Sequence, residues 1–250
     1  MVQIDFQRRE VAIKLVYYGP ALSGKTTNLQ VLHERIVPAQ RGRLITLDTK
    51  DDRTLFFDLL PIHFRSASGL TIKVKLFTVP GQVIHNSTRR IVLQGADGVA
   101  FIADSRIAET RHNNESFANL KANLRDNGFN PAEVPIVIQF NKRDLPGTRG
   151  DSDLAKIAQR GCEPIFRASA INGGGVVETF FGLVRIAWDR LEEKVELGNR
   201  FGVSRDELIR SLAQQLQATP EELTIAGLAE MAEPAPPVAP VGATSSPRIG

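Results

Sequence analysis

The sequence has almost no cysteine and no long hydrophobic run. Cys162 is the single cysteine among 250 residues. No disulfide can therefore form within the chain, which suits a reducing compartment such as the cytosol. The longest apolar runs, such as residues 134–138, are far shorter than the roughly 20 residues that a membrane-spanning helix needs. We expect a cytoplasmic protein without a membrane-spanning helix.

Signals for secretion and for lipid attachment are also lacking. The N-terminal sequence MVQIDFQRRE contains no apolar stretch of the kind found in signal peptides. Val2 follows Met1 where myristoylation requires glycine, and the C-terminal sequence SSPRIG has no cysteine for prenylation. These absences predict a protein without a membrane anchor of its own.

The chain also lacks a strong excess of charge of one sign. Its 31 basic and 28 acidic residues leave a formal net charge of only +3. The basic residues are scattered, with acidic residues between them, whereas nucleic-acid-binding proteins gather basic residues on one face. We therefore expect no binding to nucleic acid.

What the sequence does contain is an alternation of strand-like and helix-like segments between residues 10 and 195. The predicted strands are 11–18, 43–48, 99–103 and 134–140. Residues 54–64 are expected to pair with 71–79, whose alternation of apolar residues with lysines is typical of an antiparallel or edge strand. The predicted helices are 25–36, 111–127, 151–160 and 176–196. This alternation is typical of βαβ units, so we predict an α/β fold with a mainly parallel central sheet between two layers of helices.

The character of the sequence changes after about residue 198. Ser204 and Glu207 have the spacing of a capping box, and Thr219 followed by Pro220 is typical of a second helix start. From Pro234 onward the chain contains five prolines and one charged side chain, which is typical of disorder. We predict a main domain at 1–197, a helical extension at 198–232 and a Pro-rich disordered tail at 233–250.

The most specific motif is VYYGPALSGKTTNLQ at residues 16–30, which contains the pattern GxxxxGK[ST]. Between a strand and a helix, such a loop directs backbone N–H groups and the positive end of the helix dipole at phosphates. Gly24 allows close approach, Lys25 reaches the β- and γ-phosphates, and the Thr26 hydroxyl is a Mg²⁺ ligand. We assign these residues to phosphate and Mg²⁺ binding: Gly19, Ala21, Leu22, Ser23, Gly24, Lys25, Thr26 and Thr27.

A second motif, NKRD, directly follows the predicted strand that ends at residue 140. A carboxylate at Asp144 can accept hydrogen bonds from N1–H and N2–H₂ of guanine, while the Asn141 amide meets O6 and N7. Adenine would leave this carboxylate poorly paired, at a cost of about 1–3 kcal/mol. Asn141, Lys142 and Asp144 therefore predict guanine specificity. Ser169 and Ala170 either add a backbone contact to O6 or simply end the last strand.

Two further stretches contain candidate residues for hydrolysis. In TVPGQ, Gly81 can present its N–H to the γ-phosphate and Gln82 can orient the attacking water; the alternative is an ordinary Pro-Gly turn. In DRTLFFD, Arg53 could offset charge in the transition state and Thr54 could be a second Mg²⁺ ligand. The alternative there is a salt-bridged strand end, and spacing alone does not decide between them.

Taken together, these stretches resemble the bacterial Ras-like small GTPases of the gliding-motility MglA type. The matching segments cover roughly residues 8–195, and Thr78 in place of the usual aspartate is itself typical of the group. They read KLVYYGP, GKTTNLQ, DRTLFFD, TVPGQV, DGVAFIADS and QFNKRDLP. The resemblance implies a Ras-like P-loop NTPase domain at 1–197 and a Mg²⁺-dependent GTP/GDP switch used in cell polarity and motility.

The resemblance also implies partners and catalytic roles. It implies a homodimeric Roadblock-fold activator similar to MglB, together with effector proteins. Arg53 corresponds to an intrinsic arginine finger and Gln82 to the residue that orients water, both positioned by a shift of the strand near 54–64. Loops 45–56 and 80–90 are expected to be ordered by the γ-phosphate.

The chain departs from this family at two places. Ala21 stands where members carry glycine, and its methyl group lies beside the expected γ-phosphate; a misplacement of about 1 Å there can cost ~10²-fold in rate. We therefore expect nucleotide binding with slow hydrolysis. The alternatives are a GTP-loaded scaffold that does not hydrolyse and an ATP-dependent kinase, which would leave Asn141 and Asp144 unexplained. The second departure is the segment 198–250, which could dock on the domain, grip a partner or recruit an effector.

Overall fold

The strands of the protein form one sheet in the computed structural model, which describes residues 3–5, 7–47, 57–66, 68–81 and 85–228. Eight strands belong to it within these ranges. They are β1 (Gln3–Asp5), β2 (Glu10–Tyr18), β3 (Ile45–Leu47), β4 (Phe57–Arg65), β5 (Thr71–Thr78), β6 (Gly98–Asp104), β7 (Ile136–Asn141) and β8 (Ile165–Arg167).

The sheet is mainly parallel, as predicted. Its order is β3-β4-β5-β2-β6-β7-β8, and β1 pairs with β2 outside this path. Five neighbouring strands of this order, β5, β2, β6, β7 and β8, run parallel to one another. Strand β4 is antiparallel to β5, and β3 is antiparallel to β4. The alternating pattern of residues 71–78 correctly predicted the antiparallel pair, because one face of β5 is buried and the other is half-exposed.

Helices cover both faces of the sheet. The main domain contains α1 (Lys25–Arg35), α2 (Asn86–Leu93), α3 (Thr110–Asp126), α4 (Asp151–Arg160) and α5 (Val176–Val195). One hydrophobic core contains residues of α1 and α5, and a second contains residues of α2, α3 and α4. Strand β6 is buried along its whole length, with Ala100 and Ile102 in the first core and Val99 and Phe101 in the second. The three-layer α/β prediction is confirmed.

Helix α2 corrects the prediction that residues 80–90 form a loop. The helix begins at Asn86, so only the first part of that segment is non-helical in the described residues. Thr88, Arg89, Val92 and Leu93 are buried, at the spacing of one helical face. A buried arginine within this face obscured the periodicity in the sequence.

The C-terminal extension folds back onto the main domain. It contains α6 (Leu197–Phe201), α7 (Arg205–Leu216) and α8 (Pro220–Ile225). Ser204 caps α7 by accepting from the Glu207 N–H, and a capping box at Thr219 begins α8, as the sequence predicted. The apolar face of α7 is fully buried in the core that contains α1 and α5; its members are Leu208, Ile209, Leu212 and Leu216.

Polar contacts strengthen this docking. Arg35 at the end of α1 forms an ion pair with Glu222 at 2.9 Å and donates to the Leu216 carbonyl oxygen at 3.1 Å. The Gln215 side chain donates to the carbonyl oxygen of His63 on β4 at 2.9 Å. Of the three readings of the extension, docking on the domain is the one observed. Residues 229–250, which include the predicted disordered tail at 233–250, lie outside the described residues.

In the part of the chain that the structure describes, no helix has the length and apolar content needed to cross a membrane.

Candidate functional site

The loop between β2 and α1 has a backbone that requires glycine at two positions. Gly19 has φ +152°, and an added Cβ would lie 2.2 Å from the carbonyl oxygen of Ile102. Gly24 has φ +97°, and an added Cβ would lie 2.2 Å from Nδ2 of Asn141. Gly24 is also the N-cap of α1 and supplies no side-chain cap. The first N–H groups of α1 are thus left for an anion.

Lys25 is the cation of this loop. Its side chain is buried, and the ammonium donates to the carbonyl oxygens of Gly19 at 3.1 Å and Pro20 at 2.7 Å. Burial lowers the pKa of Lys25 to about 7, and the nearby positive charge of Arg89 acts in the same direction, while Asp58 opposes both. A bound polyphosphate would stabilise the charged form of this lysine.

The remaining loop residues line the same turn. Ser23 is fully buried, and its Oγ has no hydrogen-bond partner in the described residues. Leu22 has a positive φ of 59° and is 88% exposed at the rim. Thr27 is half-buried on the first turn of α1, and Ala21 is exposed.

A cluster of oxygen atoms beside the loop fits a magnesium ion. The Thr26 hydroxyl donates to Oδ2 of Asp58 at 2.6 Å. The Thr78 hydroxyl donates to the same oxygen at 3.2 Å and accepts from the Asp58 N–H at 2.9 Å. Mg²⁺ in nucleotide sites is bound by one or two carboxylate or hydroxyl oxygens together with phosphates and water. Thr26 and Asp58 have the chemistry to hold such an ion.

Sequence reasoning missed Asp58, although a signal for it was present. By the resemblance, Thr78 stands where small GTPases usually have aspartate, so a carboxylate of another segment was to be expected beside it. Asp58 on β4 supplies one, because the antiparallel pairing of β4 with β5 brings it beside Thr78. No group of three or more His, Cys, Asp or Glu side chains suited to a metal occurs in the described ranges.

Asn141 joins the phosphate loop to the loops on the other side of the site. Its Nδ2 donates to the carbonyl oxygen of Ser23 at 2.8 Å, and its Oδ1 accepts from the Ala170 N–H at 2.9 Å. The side chain is buried. Both ends of the amide are thus used inside the protein, and the contact with guanine O6 and N7 stays a prediction.

Asp144, unlike the buried Asn141, is open to solvent. Its side chain is exposed and, within the described part of the chain, has neither a hydrogen bond nor an ion pair. An unpaired carboxylate at this end of the parallel strands is available to a ligand.

The Lys142 side chain is held at the same edge by an aspartate. Lys142 has φ +65°, and its ammonium lies 2.8 Å from Oδ2 of Asp104. Burial opposes ionisation of Asp104, but hydrogen bonds from Arg106 and Lys142 outweigh it and lower the pKa of Asp104 to about 2. Asp104 and Arg106 were not predicted, because neither belongs to a phosphate or guanine motif.

The loop after β8 closes this side of the site. The Ser169 N–H donates to the Gly174 carbonyl oxygen at 2.9 Å, and the Ala170 N–H is bonded to Asn141. Each of these two N–H groups already donates a hydrogen bond within the protein. A contact of either group with guanine O6 would share its hydrogen atom between two acceptors, and this contact stays a prediction.

Gly81 and Ala21 meet at the end of the loop expected to hold the γ-phosphate. An added Cβ on Gly81 would lie 2.3 Å from Cα of Ala21 and 3.1 Å from its Cβ. Both residues were assigned from the sequence to the γ-phosphate end of the site, and that assignment stays a prediction. The predicted catalytic residues Gln82 and Arg53, and the predicted Mg²⁺ ligand Thr54, lie outside the described residues.

The Ras-like order of strands and the glycine loop with its buried lysine define a nucleotide-binding protein of the P-loop class. No protein-family model matches the chain. It is similar to the "Mutual gliding-motility protein MglA" of Myxococcus xanthus (strain DK1622), with 40% identity over 190 residues, which is 76% of this chain and 97% of that protein. The chain belongs to the MglA family of Ras-like small GTPases.

Proposed function

We propose that this protein is a GTP-binding molecular switch that binds Mg²⁺-GTP and GDP and hydrolyses GTP slowly. The observation that carries the proposal is the contact between its two nucleotide motifs. Asn141 and Ser23 are 118 positions apart in the chain, yet they are joined by a 2.8 Å hydrogen bond. This bond brings the phosphate loop and the predicted guanine motif together at the carboxyl ends of the strands, which supports a single nucleotide site.

Each part of the nucleotide is assigned to groups of this site. The N–H groups at the start of α1 and the Lys25 ammonium bind the phosphates, and the exposed carboxylate of Asp144 accepts from guanine N1–H and N2–H₂. Asn141 fixes the distance between the two halves. Thr26, Asp58 and the predicted ligand Thr54 would hold Mg²⁺, which when bound neutralises charge between the β- and γ-phosphates.

Hydrolysis is assigned to residues around Gly81. Gln82 orients the attacking water and Arg53 offsets charge on the transferred phosphoryl group, in the roles these residue types have in GTPases. Gly81 donates its N–H to the γ-phosphate. The contact of Gly81 with Ala21 supports slow hydrolysis, because the Ala21 methyl group occupies space next to the reacting atoms.

The family supports a cellular role in gliding motility or cell polarity, in the cytoplasm. A homodimeric Roadblock-fold activator of the MglB kind and downstream effectors are the partners we propose. The proposed organisation is a GTPase domain at 1–197, a helical extension at 198–232 and a Pro-rich tail at 233–250. The docking of α7 and α8 on α1 and α5 makes the extension a covering layer of the GTPase domain.

A test of hydrolysis uses purified protein with Mg²⁺ and either GTP or ATP under single-turnover conditions. Phosphate release from GTP at a slow but measurable rate, and none from ATP, is expected. The Ala21–Gly81 contact also favours a second candidate, a GTP-loaded scaffold that does not hydrolyse. Nucleotide extracted from freshly purified protein separates the two: GDP supports the switch, and intact GTP supports the scaffold.

A further inference from the structure

Arg89 on α2 is a buried cation that no motif predicted. Its side chain is among the largest that are fully buried, with 2% relative exposure. The guanidinium donates to three neutral oxygens: the Pro80 carbonyl at 2.8 Å, the Gly81 carbonyl, and Oδ1 of Asn119 at 2.9 Å. Within the described ranges no carboxylate pairs with it. Buried arginines normally pair with an acid, so this arrangement calls for an explanation.

The bond to Pro80 determines the direction of the next amide. The peptide bond between Pro80 and Gly81 is trans. In a trans peptide the carbonyl and the following N–H point in opposite directions. Because Nε of Arg89 holds the Pro80 oxygen, the Gly81 N–H is turned away from Arg89. The second bond holds the carbonyl oxygen of Gly81 itself.

Arg89 is itself anchored to the rigid part of the domain. The Asn119 Oδ1 that accepts from Arg89 also accepts from the Tyr18 hydroxyl at 2.5 Å. The guanidinium carbon lies 5.5 Å from the centroid of the Tyr18 ring, within reach of a cation–π interaction. Tyr18 is the last residue of β2, directly before the phosphate loop. Through Arg89, these contacts fix the position of Gly81 relative to β2, the strand before the phosphate loop, and relative to α3, which contains Asn119.

We propose that Arg89 is a positioning residue for the γ-phosphate: it orients the Gly81 amide toward that phosphate and so raises affinity for GTP over GDP. The inference rests on the proposed GTP switch and deepens it. The hydrogen bonds of Arg89 to the Pro80 and Gly81 carbonyl oxygens are the reason for assigning it an indirect role through Gly81. GDP, which has no γ-phosphate, makes no use of the Gly81 amide.

The test compares affinities of the full chain for GDP and for a GTP analogue that is not hydrolysed, both with Mg²⁺, by calorimetry. Arg89→Met should weaken binding of the GTP analogue by about 10- to 100-fold, as expected for lost hydrogen bonds to a charged group, and change GDP affinity less than 2-fold. Arg89→Lys keeps the positive charge but loses the planar set of N–H donors of the guanidinium. It should weaken binding of the GTP analogue by a smaller factor and leave GDP affinity unchanged. The matched control is Arg90→Met, since Arg90 is an exposed arginine on the same helix and should alter neither affinity.

Equal losses for both nucleotides, or no loss, in Arg89→Met would overturn the inference and leave Arg89 with a purely structural role. If Arg89→Met does not fold, as judged by circular dichroism, Arg89→Lys decides by the same criterion. The unmodified protein serves as the reference for the proposed function. If it binds neither nucleotide, the GTP switch itself fails; if it binds both and only the Arg89 result is negative, the switch stands and the role of Arg89 does not.

Discussion

Replacing Ala21 by glycine should accelerate GTP hydrolysis. Ala21 has no positive φ that would favour glycine, so the exchange removes a methyl group and leaves the loop backbone otherwise unstrained. The removed methyl lies against Gly81, the residue before the predicted water-orienting Gln82. The substitution therefore changes the space beside the reacting atoms and leaves the phosphate-binding amides in place.

The magnitude follows from how closely the two residues approach. The space that a Cβ on Gly81 would occupy lies 2.3 Å from Cα of Ala21 and 3.1 Å from its Cβ, so Ala21 and Gly81 are immediate neighbours. We expect the Ala21 methyl group to displace the attacking water or the predicted Gln82, which follows Gly81 in the sequence, by about 1 Å. A displacement of that size costs ~10²-fold in rate. We expect Ala21→Gly to hydrolyse GTP about 10- to 100-fold faster.

The assay is single-turnover phosphate release from protein preloaded with GTP, with and without a Roadblock-fold activator. Affinity for GDP is measured in parallel and should be unchanged. Ala21→Val serves as the opposite control, since a larger side chain should slow hydrolysis further. Equal rates for the unmodified protein and Ala21→Gly would refute the steric reasoning.

Three further predictions concern the base, the phosphates and the extension. Asp144→Asn should shift preference from guanosine to xanthosine nucleotides in competition binding, because an amide can donate to the xanthine 2-oxo group; an unchanged preference would contradict the base assignment. The pKa of Lys25 is lowered from 10.5 to about 7 in the folded protein. Between these two pH values the unfolded chain therefore binds more protons than the folded one. The free energy of unfolding of the nucleotide-free protein should then rise as the pH increases from about 7 to 10. Triphosphate binding at pH 8 should then take up a proton, which calorimetry in buffers of different ionisation enthalpy measures, and uptake by a Lys25→Met variant would argue against this origin. Leu212→Ala should lower the free energy of unfolding by about 2–5 kcal/mol, whereas exposed Arg210→Ala on the same helix should change it by less than about 0.5 kcal/mol; equal effects in urea denaturation would contradict a docked extension.

The phosphate loop and the layers of the domain were predictable because they follow from local rules. Gly24 and Lys25 belong to a motif whose backbone geometry is nearly invariant, and it occurs between a strand and a helix. The fully buried strand β6 has the continuous apolar pattern of a strand covered on both faces. The start of α7 at Ser204 likewise follows from capping chemistry.

The residues that were missed depend on contacts between distant segments. Asp58 is brought to Thr78, and so to the proposed magnesium site, only by the antiparallel pairing of β4 with β5. Arg89 binds backbone oxygens of residues 80 and 81, and backbone acceptors leave no trace in a sequence. The internal bonds of Asn141 were missed for the same reason, since a guanine motif was sufficient to explain its presence.

The central claim is that the loop at residues 19–26 and the carboxylate of Asp144 form one guanine-nucleotide site. Calorimetric titration of the full chain with GTP and with ATP, each with Mg²⁺, tests this claim most directly. We predict that GTP binds at least ten times more tightly than ATP, as a difference of about 1.4 kcal/mol or more requires. Equal affinity for the two nucleotides would contradict it.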